Sequence, residues 1–132
     1  MTGTVELCLG GGCTVVFVIE HRKGEYVHFG IEFQFQELDA TLPPIRGCSL
    51  SVADIERLVA YAEVSLEEGR EESHGPFTAY DAFFTLEFLE DDAVRFMASY
   101  GPEYPFSLGM EGVVSESAVA SFREGWLRQL KG

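Results

Sequence analysis

Residues 27–35 constrain this chain more than any other stretch. Val27, Phe29, Ile31, Phe33 and Phe35 alternate with His28, Gly30, Glu32 and Gln34. A period of two places five apolar side chains on one face and the polar ones on the other. That pattern suits a long antiparallel strand with one dry face and one wet face, and the dry face demands a second layer to cover it.

The remaining elements follow from local signals. Residues 5–9 and 13–19 are short apolar or β-branched runs joined by Gly10, Gly11 and Gly12, which supply the positive φ that a tight connection needs. Pro43 and Pro44 break the long strand, and 45–50 reads as a short loop. Ser51 with Asp54 three residues on resembles a helix start, after which Val52, Ile55, Leu58, Val59, Ala62 and Leu66 recur at helical spacing. Gly75 and Pro76 form the next break. Phe84, Leu86 and Phe88, a turn at Asp91 and Asp92, and then Val94, Phe96, Ala98 and Tyr100 predict a hairpin. Phe106, Leu108 and Met110 extend a last strand. Ser115 to Ser117 cap a final amphipathic helix carrying Val119, Phe122, Trp126, Leu127 and Leu130, with Arg128 and Lys131 at its cationic end. The expectation is an α+β fold spanning 1–132 as a single globular domain. It has a largely antiparallel sheet of about six strands and two amphipathic helices, in the order βββ-α-βββ-α.

Charge removes several functional classes. The chain of 132 residues has 22 Asp and Glu against 9 Lys and Arg, a formal net charge of −13. Phosphate recognition depends on Lys and Arg, so neither nucleic acid nor an anionic membrane is an expected partner. Disorder is equally unexpected, because 11 Phe, 5 Tyr and 1 Trp supply a large apolar core. The opening residues lack the basic and apolar regions of a secretory signal, and three cysteines make an odd number. Cytoplasm is therefore the expected compartment.

Few catalytic patterns are present. The three glycines lead into a strand rather than a helix, unlike a phosphate-binding loop. Cys8, Cys13 and Cys48, and His21, His28 and His74, show no metal-ligand spacing, so no metal or cofactor is expected and the thiols read as buried and inert. His28 lies two positions before Glu32 on the wet strand face, where an imidazole and a carboxylate could pair.

The acidic excess is concentrated. Residues 54–72 hold seven acids against Arg57 and Arg70. Glu63, Glu67, Glu68, Glu71 and Glu72 form either a solvated helix end or a docking face for a basic protein, whose approach such charge would accelerate. Tyr104, held between Pro102 and Pro105, is a second candidate contact, since stiff exposed aromatics anchor interfaces.

From Ser51 onwards the capped helix, the run Phe77-Thr78-Ala79-Tyr80-Asp81-Ala82-Phe83-Phe84-Thr85-Leu86-Glu87-Phe88, two further strands and a closing amphipathic helix resemble the layout of WapI-type and similar small acidic bacterial immunity proteins. The resemblance implies a non-enzymatic protein that neutralises a toxin by occlusion, with no catalytic residues to transfer. Another reading is a small-ligand-binding or enzymatic α+β domain with an aromatic-lined pocket, using His28 and Glu32 as polar groups. A core packed solid by Phe29, Phe33, Phe84, Phe88, Phe96 and Phe122 would count against it. A third is a homodimer formed by edge-strand pairing.

Overall fold

A computed structural model describes residues 3–37, 42–67, 75–79, 81–89, 91–100 and 107–131. Among the described residues eight strands and two helices follow one another: β1 (Gly3–Leu9), β2 (Cys13–Lys23), β3 (Tyr26–Phe35), β4 (Ile45–Ser51), α1 (Val52–Glu67), β5 (Phe77–Thr78), β6 (Phe84–Phe88), β7 (Ala93–Ser99), β8 (Ser107–Val113) and α2 (Glu116–Lys131). The α+β class matches the sequence reading. The expected single sheet of about six strands does not, because the described strands form two antiparallel sheets of four each, β1-β2-β3-β4 and β5-β6-β7-β8. The order is ββββ-α-ββββ-α.

Local chemistry accounts for most boundaries. Gly11 and Gly12, at φ +91° and +85°, turn the chain between β1 and β2, and Asp91 and Asp92 at +58° and +60° do the same before β7. Each helix begins on a serine, with Ser51 Oγ accepting the Asp54 amide at 3.0 Å and Ser115 Oγ accepting the Ala118 amide at 3.1 Å. The 45–50 segment is a strand and not a loop. Its register against β3 shifts between Phe29 and Ile31, a bulge that includes Gly47 at φ +77°. Ile45 and Cys48 consequently both face the core, and a simple alternation is lost from the sequence.

The two sheets turn their apolar faces towards each other. Phe17 of β2 lies within 5.3–6.0 Å, centroid to centroid, of Phe29, Phe84, Phe96, Phe122 and Trp126. Their rims touch as well. The Gly10 amide donates to the Val113 carbonyl at 2.6 Å, joining the end of β1 to β8, and the Ser49 amide donates to Asp81 O at 2.9 Å on the other side. The helices cross between the halves. Tyr61 of α1 stacks on Phe88 of the second sheet at 5.4 Å, whereas α2 sets Gly125 against Val5 and Trp126 against Phe17 and Phe29 of the first. Among the described residues no helix is long and apolar enough to cross a membrane.

Gly125 marks a close helix-to-sheet approach. A Cβ there would stand 2.8 Å from Val5 Cγ1 and 3.2 Å from Cγ2, and Val5 is a β-branched strand residue with little freedom to yield. Gly125→Ala should therefore destabilise by about 1–2 kcal/mol despite alanine's better helix propensity. In a Val5→Ala background the same substitution should cost less, because both Cγ contacts are gone and only the Cβ of residue 5, at 3.3 Å, still crowds the new methyl. Urea unfolding of the four proteins checks this coupling.

Candidate functional site

α1 is pinned to the second sheet by two polar side chains. Arg57 donates to Asp54 Oδ1 at 3.0 Å and to the Thr78 carbonyl at 2.9 Å, and its guanidinium lies 5.0 Å from the Phe77 ring centroid. One turn on, the Tyr61 hydroxyl donates to Gly75 O at 2.7 Å and accepts the Phe88 amide at 3.0 Å. Helical spacing puts Arg57, Tyr61 and Val64 along one flank of α1, with Ala60 beside them at the outer face. With Pro76 and Phe77 these residues line an open groove of about 410 Å³. Its floor is apolar.

Glu56 and Glu63 lie about a quarter turn round the helix from this flank, next to Ala60. Glu56 is exposed and Glu63 half-buried, seven residues apart and so on one side of the helix. Glu67 is the last described residue of α1, and no basic residue occupies the last described turn. The other sequence-predicted contacts, Glu68, Glu71, Glu72 and Tyr104, lie outside the described residues. The structure thus places Glu63 and the backbone of Glu67 in the last described turns of α1. The groove beside them escaped sequence analysis, because Pro76 and Phe77 reach it only through the tertiary fold.

The arrangement conflicts with what a helix prefers. A C-terminal turn carries a partial negative charge, so acids there are unfavourable, and the i, i+4 pair Glu63 and Glu67 adds like-charge repulsion. α2 follows the usual rule. It starts at Glu116 and carries Arg128 and Lys131 in its last turn. Arg22 of β2 also donates to the Gln129 carbonyl at 3.4 Å near that end.

The other chemistry expected from sequence is rearranged. His28 forms no hydrogen bond or ion pair with Glu32. It stacks instead on His21 across β2 and β3, with ring centroids 4.6 Å apart. Phe29, Phe33, Phe84, Phe88, Phe96 and Phe122 are all buried in one cluster, so these rings fill the core. The thiols are not uniformly buried. Cys48 is, and burial, reinforced by the charge of Glu20, pushes it up to about 12. Cys13 is half-buried, with its thiol raised by burial. Cys8 is exposed: register pairs it with Thr14 and pairs Cys13 with Leu9, which puts the two cysteines on opposite faces of the hairpin. No group of three or more His, Cys, Asp or Glu among the described residues is arranged to hold a metal ion.

A second groove, of about 380 Å³, opens over the outer side of the second sheet and includes Phe83, Thr85, Met97 and Ser107. Phe83 and Asp81 there adopt φ +61° and +64°, a conformation unfavourable for a bulky side chain. No sequence signal announced it.

Comparison with models of protein families, with curated proteins and with solved structures gives no match.

Replacing Tyr61 by Phe removes the shared hydroxyl and leaves the Phe88 amide and the Gly75 carbonyl without it. The expected loss is about 1–3 kcal/mol by chemical denaturation, with faster amide exchange at Phe88.

Proposed function

We propose that this chain is a non-enzymatic binding protein for a basic protein partner, which it engages through the α1 groove and the acidic end of the helix. The observation that carries this reading is the contrast between the helices. α2 obeys the dipole rule, whereas α1, over its described residues, runs to Glu67 with no basic residue in the last turn. A local rule broken at a surface element is the mark of a site kept for binding. A cationic side chain from a partner would neutralise Glu63 and Glu67, complete the helix end, and let apolar neighbours settle on Ala60, Val64 and Phe77. Cover by a partner, rather than turnover, is the mode of action that suits this surface. An immunity protein occluding a basic toxin domain is the specific form that the acidic charge supports.

The test joins stability to binding. Glu67→Lys and Glu63→Gln should each leave the fold intact and raise its stability, by about 0.3–1 kcal/mol for the lysine. Both should slow association with a basic partner, such as the product of a neighbouring reading frame, and reduce its dependence on ionic strength. Stabilised variants that bind as quickly as the parent would overturn the assignment of this surface. Failure of basic proteins to bind the parent chain at low salt would overturn the function itself.

A further inference from the structure

On the solvent face of the first sheet, at the far end of the β2–β3 hairpin, the two histidines come together through an irregularity. β2 and β3 pair regularly from Cys13 and Phe35 as far as Ile19 and Phe29, then shift so that His21 faces His28 and Glu20 is the extra residue. Regular alternation would turn His21 towards the core side. The bulge instead sends Glu20 and His21 to the same outer face and returns Arg22 to the inner side, where it reaches the Gln129 carbonyl. The imidazoles end directly opposite each other, 4.6 Å apart and inclined by only 21°. Neither makes a hydrogen bond or ion pair with another described residue.

The surroundings favour a cation. Glu20 leans over Gly30, where a Cβ would lie 3.6 Å from its Oε1, and Gly30 and Glu32 follow His28 on the same outer face of β3. Imidazole nitrogen suits the late first-row divalent ions, and two such ligands on adjacent strands form a chelate in which water fills the other positions. His21 is exposed, so its ring can turn to aim a nitrogen at an ion held by the half-buried His28.

We propose that His21 and His28 form a two-histidine surface site for a divalent late first-row transition cation, of the Ni²⁺, Cu²⁺ or Zn²⁺ type. The site is independent of the α1 surface, and the two lie on different elements. Titration of the full chain with Ni²⁺ by calorimetry, with Mg²⁺ as the comparison, tests it. The expected result is one Ni²⁺ per chain and no heat with Mg²⁺. Affinity should fall at least about tenfold in both H21Q and H28Q and stay unchanged in H74Q, because a single imidazole cannot chelate. In the unaltered protein, paramagnetic Ni²⁺ should broaden the ring proton resonances of His21 and His28 at concentrations that leave His74 sharp, a reading that needs no variant. Absence of Ni²⁺ binding would overturn the proposal. So would affinity that survives either single substitution, or broadening centred on His74.

Discussion

The contacts around Phe17 hold the two halves of this protein together. A strand of the first sheet presents the ring, and it meets Phe29 beside it, Phe84 and Phe96 of the opposing sheet, and Phe122 and Trp126 of α2. Edge-to-face and tilted pairs of this kind add about 0.5–1.5 kcal/mol each beyond the area they bury. Because their partners come from β3, β6, β7 and α2, the cluster cannot form within either half alone. The crossed helices reinforce this. α1 leaves the first sheet to stack Tyr61 on Phe88 of the second, and α2 leaves the second to pack Gly125 on Val5 of the first.

On the proposed reading, recognition falls to the surface, because aromatic rings fill the interior. The two helices start alike, on a serine cap with an acid in the first turn, yet they differ in charge further along. α2 carries cations in its last turn, whereas the last described turn of α1 has none. The pinning of α1 by Arg57 and Tyr61 keeps the adjoining groove open and fixed in shape, so a partner would meet a preorganised surface. The cost of acids at the end of α1 is tolerable because the core contributes far more than one helix terminus.

Features governed by neighbouring residues were legible in the sequence. The alternation in β3, the serine caps, the glycine turn before β2 and the Asp91-Asp92 turn all depend on a few adjacent side chains, and each stands where its chemistry put it. Features governed by pairing were not. β4 looks like a loop because its bulge, which includes Gly47, spoils the period of two, and β5 is only two residues long. Division into two sheets depends on which strand edges meet, a property no local window contains. The same limit applies to the sites. The charge on residues 54–72 was evident, but the groove needed Pro76 and Phe77 folded against α1, and the histidine pair needed a one-residue bulge to bring His21 opposite His28.

If Phe17 joins the halves, neither sheet can open independently of the other. Native-state amide exchange at the centres of β2 and β3 and of β6 and β7 measures this directly. The account predicts one shared opening free energy for both sheets, lowered by the same amount in both by Phe17→Leu. Protection that persists in one sheet while the other exchanges, or a Phe17→Leu effect confined to the first sheet, would contradict it.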